Sequence, residues 1–127
     1  SCLVGSEMCI RDRYWNDCGI DERHVNKKHT WEELRMKRYL KGTDDQIYPH
    51  VDAWDINSCK RFLVYFWYLN TVDVGGETEF YNLDKEVKIQ PVQGRLIMFP
   101  VSFQYLHAGL NPVSHSKYII GGYFHHA

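Results

Sequence analysis

Residues 61–69, RFLVYFWYL, constrain the fold of this chain more than any other stretch. Apolar side chains fill both odd and even positions, and β-branched and aromatic types dominate. Successive side chains of an extended chain point to opposite faces, so a strand with this pattern is buried on both. It therefore needs one layer of structure above it and another below. The run is too short for a membrane helix, which takes about 20 apolar residues.

The rest of the chain supplies such layers as short strands. Residues 33–40 alternate, with Leu34, Met36 and Leu40 on one face and Glu33, Arg35, Lys37 and Tyr39 on the other. Residues 47–52 form the next strand after the turn-like GTDD of 42–45. The turn at 70–76 ends in Gly75-Gly76, and strands are expected at 77–81, 86–90, 95–99, 105–109 and 117–124. Residues 14–30 are polar and without period and read as a loop or the stump of a helix, with His24 and His29 at the surface. About eight strands and no helix after residue 30 predict an all-β fold, a two-sheet jelly roll or barrel. Hydrophobic residues at 44% and charged residues at 24% exclude a disordered chain. A net charge of -1 gives no basic face for nucleic acid.

Within this pattern one pair carries chemistry. His50 and Asp52 stand two residues apart at the end of a predicted strand, so their side chains share a face. An imidazole and a carboxylate so placed can fill two positions around a divalent metal. His107 lies on a short late strand, where a two-sheet roll can bring it to the same point. Two histidines and one carboxylate on one face of a metal are the ligand set of non-haem Fe(II) oxygenases. Lys117 opens the last strand and shares its parity with Ile119 and Gly121, which places it on an apolar face. A lysine there has a purpose if an anionic cosubstrate enters to pair with it. Each residue alone has a plainer reading, as a surface lysine or a core or surface histidine.

Together, His50-x-Asp52, GGETEF at 75–80, His107 and Lys117 resemble the prolyl 4-hydroxylase-like branch of the Fe(II)/2-oxoglutarate-dependent dioxygenases. The resemblance runs from about residue 33 to 124. It implies a double-stranded β-helix, with His50, Asp52 and His107 as catalytic iron ligands and Lys117 on the distal carboxylate of 2-oxoglutarate. It implies cosubstrate contacts for Tyr39 in RYLKG, set about two residues further from His50 than the pattern has it, and for Tyr68 in YLN. Fe(II), 2-oxoglutarate and dioxygen would be consumed or bound, with ascorbate as a further cofactor. The products would be succinate, carbon dioxide and a hydroxylated substrate, a peptidyl proline or similar residue. A carboxylate at Asp52 favours hydroxylation, because related halogenases keep a small residue there. KYIIGGYF lacks the arginine pattern of nucleic-acid demethylases.

Residues 2–13, CLVGSEMCIRDR, resemble the translated adapter of a sequencing library and show no helical or strand period. Residues 1–13 are therefore set apart as non-native, and 14–127 are read as a dioxygenase domain that has lost its N-terminal support helices. Cys18 and Cys59 are then too few for a disulfide framework and favour a reducing compartment, the cytoplasm. No membrane or nucleic-acid partner is expected, and oligomeric state is open. Two other readings compete: an oxygenase of small metabolites, and a catalytically silent jelly-roll binding module. A cupin-like centre lacks its His-x-His cluster. Trp54 is a candidate for the substrate mouth or for packing, and Arg61 for substrate contact or strand capping. Glu77 and Glu79 could serve as acid/base carboxylates but read as a partly exposed strand pair, Cys59 as a small packing residue, and His115, His125 and His126 as loop and tail.

Overall fold

Strand β4 (Arg61–Tyr68) is the buried run, and it pairs along its two edges with β7 (Leu96–Pro100) and β9 (Lys117–His126). The computed structural model describes residues 6–25 and 27–127. The far edge of β9 is shared by β1 (His29–Trp31) and β2 (Arg35–Tyr39), which completes a five-stranded antiparallel sheet. The second sheet has four strands in the order β3 (Ile47–His50), β8 (His107–Gly109), β5 (Thr78–Phe80) and β6 (Val87–Ile89). This is the expected jelly roll, with β1 added to the eight strands.

Both faces of β4 are covered, as its composition requires. Val64 and Tyr68 turn inward onto Phe80, Ile97, Phe99 and Val101 between the sheets. Leu63 and Tyr65 turn outward and pack with Phe124, with Tyr14 beside them. Tyr14 belongs to helix α1 (Ser6–Asp17), which the sequence reading allowed only as a stump from residue 14 and did not expect over 6–13. Its apolar residues are too few to print a period. It is held instead by pairs one turn apart: Arg11 stacks over Trp15 at 4.4 Å, and Arg13 reaches Asp17 at 3.5 Å. The expected boundary at residue 13 falls inside this helix, and Arg11, Tyr14 and Trp15 pack from its two sides.

Other expectations invert for reasons of position. Met36 and Leu34 are 68% and 43% exposed, whereas Tyr39, on the opposite parity, is buried. β2 is an edge strand whose inner face looks into a polar cavity, so its apolar face is the one left outside. Strand β1 has three residues, too few to alternate visibly; His29 on it packs its ring against Phe124 at 5.5 Å. His125 and His126 belong to β9, and Cys59 sits exposed in the turn before β4. No helix among the described residues is long and apolar enough to cross a membrane.

The β4–β9 contact depends on one absent side chain. A Cβ at Gly121 would lie 2.1 Å from the Tyr65 carbonyl oxygen and 2.4 Å from Phe66 Cβ. Only glycine permits that approach. Gly121→Ala is therefore expected to destabilise the fold by at least the ~1–3 kcal/mol typical of overpacking. Gly122→Ala, whose Cβ meets nothing nearer than 3.5 Å, should cost far less. Chemical denaturation of the two variants makes the comparison, and equal midpoints would refute it.

Candidate metal centre

In the antiparallel register of β3 and β8, His50 stands directly opposite His107. Opposed residues of such a pair share a face, so both rings project between the sheets, their centroids 4.3 Å apart. Phe99 and Phe80 wall the His107 ring at 4.7 and 5.6 Å. Asp52 follows just past the end of β3, where its N–H and that of Ala53 both donate to the Val101 carbonyl at 3.2 Å.

Backbone carbonyls orient the two rings alike. His50 Nδ1 lies 2.9 Å from the Tyr48 oxygen, and His107 Nδ1 lies 2.8 Å from the Tyr105 oxygen. A carbonyl only accepts, so each Nδ1 carries the proton and each neutral ring keeps its Nε2 lone pair. His50 Nε2 is 3.6 Å from Asp52 Oδ1, and His107 Nε2 is 3.4 Å from Oδ2. One ligand atom from each of the three residues lies within 4.8 Å of the others.

The carboxylate tests whether a metal fits. Asp52 is buried; its Oδ1 accepts from the Tyr123 hydroxyl at 2.8 Å, while Oδ2 is buried without a hydrogen-bond partner. A buried acceptor left unpaired is costly and rare. The His107 lone pair facing the orphaned Oδ2, and the His50 lone pair facing Oδ1, have no protein hydrogen to share with the carboxylate. A divalent cation satisfies all three.

Electrostatics prepare that state at Asp52 and His107 and oppose it at His50. Burial alone would raise the Asp52 carboxyl, but His50, His107 and Tyr123 together hold it below its ordinary value. Burial lowers His107 despite the nearby Asp52, which keeps that ring neutral. His50 is raised, chiefly by Asp52. Lys37 lines the same cavity, and its charge opposes protonation of both rings.

Lys117 reaches the cavity from β9. It is 2% exposed, and its Nζ donates to the Gly76 carbonyl at 2.9 Å and lies 4.5 Å from the centroid of the Tyr39 ring. Burial lowers it to about 8, with Glu77 opposing. Its stem passes Gly76, where an added Cβ would meet Lys117 Cδ at 3.4 Å. Tyr39 is its cross-strand neighbour and shares the cavity wall. Tyr68 is buried one layer back, its hydroxyl 2.6 Å from Thr78 Oγ1, and Thr78 reaches the cavity. Burial raises both phenols to about 12, so both stay protonated.

The structure thus brings His50, Asp52, His107, Lys117 and Tyr39 to one cavity and sets Tyr68 behind it. Trp54 is 78% exposed, so it does not pack. Glu79 pairs with Lys88 at 3.6 Å in an ordinary cross-strand contact. Sequence reasoning missed Lys37, Thr78 and Tyr123. Tyr123 shares parity with Lys117, so its face was legible, but nothing distinguished it from a core aromatic.

The sequence profile of the 2OG-Fe(II) oxygenase superfamily matches residues 34–125. No match was found among curated protein sequences. Among solved structures, the chain is similar to the viral collagen prolyl hydroxylase of Paramecium bursaria Chlorella virus-1 in its 2OG complex. The two share 26% identity and a TM-score of 0.74, over 94% of this chain and 70% of that one. A truncated form of the same viral enzyme gives 25% identity and a TM-score of 0.75, over 100% of this chain and 70% of the other. The fold also matches a prolyl hydroxylase from Trichoplax adhaerens, at 24% identity and a TM-score of 0.71, over 94% and 54% of the two chains. The chain belongs to the 2OG-Fe(II) oxygenase superfamily.

Proposed function

We propose that this protein is an Fe(II)- and 2-oxoglutarate-dependent dioxygenase that hydroxylates a peptidyl proline or a similar residue, releasing succinate and carbon dioxide. The observation that carries the metal reading is the buried Asp52 carboxylate facing two imidazole nitrogens, His50 Nε2 beside Oδ1 and His107 Nε2 beside the orphaned Oδ2. His50, Asp52 and His107 are the residues that would hold Fe(II). Iron supplies the oxygen activation. The protein's part is to bind, orient and keep the site dry.

Lys117 anchors the distal carboxylate of 2-oxoglutarate. A buried ammonium on one carbonyl and one aromatic face keeps donors to spare, and an incoming carboxylate offsets its desolvation. Tyr39 lines the same end of the cavity, and Tyr68 holds Thr78 in place behind it. The proline reading is supported by the viral collagen prolyl hydroxylase, similar at 26% identity and named in complex with 2OG. Its direct test offers a proline-rich peptide and the same peptide with alanine for proline. Succinate release with gain of one oxygen in the first alone is expected; succinate with neither would overturn the peptide reading.

Two further outcomes follow from the site. Under anaerobic conditions Fe(II) and 2-oxoglutarate should together give a visible metal-to-ligand charge-transfer band. His50→Ala and His107→Ala should abolish it, and a band unchanged in both variants would refute the ligand assignment. Lys117→Ala should weaken 2-oxoglutarate binding about 10- to 100-fold while sparing the metal. The anchor works as the ammonium, and the free lysine titrates near 8. Cosubstrate affinity is therefore full below that pH and falls as pH rises through it, by up to about tenfold per unit. Calorimetric titration across pH checks this, and a flat profile in wild type would remove Lys117 from the role.

A further inference from the structure

The Asp52 carboxylate is held from two directions by one connected group of side chains. Its Oδ1 accepts from Tyr123 at 2.8 Å, and its backbone carbonyl accepts from Arg61 Nη1 at 3.0 Å. The Arg61 guanidinium also lies over the Tyr123 ring, 3.9 Å from the centroid. Arg61 is fixed in turn by Glu32, with Nε and Nη2 donating to the two carboxylate oxygens at 2.6 and 3.2 Å. His125 Nε2 meets Glu32 Oε1 at 2.7 Å. Residues from the segment after β1, from β4 and from β9 thus converge on one ligand.

We propose that Tyr123 is a positioning residue that restricts Asp52 to ligation through Oδ2 alone, with Arg61 and Glu32 bracing it. The inference rests on the iron reading given above. A free carboxylate can turn about its last bond or chelate a metal with both oxygens. Chelation would fill a position that the cosubstrate or dioxygen needs. His50 Nε2 lies 3.6 Å from Oδ1 and His107 Nε2 3.4 Å from Oδ2, so the Tyr123 hydroxyl, which occupies Oδ1, is what leaves Oδ2 as the oxygen without a hydrogen-bond partner. A phenylalanine would fill the same space and stack under Arg61 equally well. The hydroxyl is what the packing does not need. Tyr123 also shares the inward face of β9 with Lys117 and Ile119, so one strand carries the proposed cosubstrate anchor and the bond that orients the carboxylate ligand.

The test uses the metal-free protein titrated with Co(II), read by visible d–d absorption, with thermal midpoints measured without metal. In Tyr123→Phe the affinity for Co(II) is expected to fall about 10-fold or more, as for other groups that orient metal ligands. The d–d spectrum should change as the carboxylate gains a second metal contact, while the thermal midpoint shifts little. Arg61→Gln should alter the spectrum in the same sense, and the double variant should lose little more than either single one, because the two act as a unit. A Tyr123→Phe protein with wild-type affinity and spectrum overturns the proposal. If that variant does not fold, an Arg61→Gln protein with wild-type affinity and spectrum overturns it instead. A wild-type protein that takes up no Co(II) refutes the metal centre itself, which is a different failure.

Discussion

Strand β9 has backbone donors and acceptors on both edges over ten residues, and most of the molecule is arranged to satisfy them. β4 takes one edge; β1 and β2 divide the other. The ladder to β4 closes because Gly121 has no Cβ to strike the Tyr65 carbonyl. Alternation along the strand then sends Lys117, Ile119 and Tyr123 into the space between the sheets, and Phe124 to the outer core under α1. One set of backbone bonds therefore fixes the outer packing and the spacing of Lys117, the proposed cosubstrate anchor, from Tyr123, which hydrogen-bonds Asp52.

The polar groups inside are what the fold itself does not need. Lys117, His107 and Asp52 are all buried, and apolar residues of similar volume would pack there without desolvation cost. Each is only partly satisfied by protein. Lys117 has a carbonyl and an aromatic face, His107 presents a free Nε2, and Asp52 leaves Oδ2 unpaired. Incomplete satisfaction concentrated in one cavity marks ligands to come. A metal at one end of the cavity and an anion at the other, as proposed for this member of the 2OG-Fe(II) oxygenase superfamily, would complete these groups.

Part of this was legible along the chain. The two-sided hydrophobicity of 61–69 predicted a central strand, and β4 is flanked on both edges and covered on both faces. The parity of Lys117 with Ile119 carried over directly, because alternation is a local property of extended backbone; β3 ends at His50, and Asp52 reaches the same cavity from the bend beyond it, held by the Val101 carbonyl. Local pattern misled where the surroundings, not the chain, set polarity. β2 turns Arg35 and Lys37, themselves still exposed, to the rim of a cavity lined by charged residues and Met36 to the opposite side, also in solvent. α1 and β1 left no period, one being held by a few turn-spaced pairs and the other by three residues of register.

The sequence alone determined which residues could coordinate, which could pair with an anion and that short strands would carry them. These depend on residue type and on spacing within single strands. Only the tertiary structure decided that His50 faces His107, that Asp52 keeps one oxygen bare, and that Tyr123 and Arg61 hold the other oxygen and the backbone behind it. Those relations join residues between 9 and 71 positions apart. They exist only once β-ladder register has brought distant segments to hydrogen-bond distance, and no local preference encodes that register.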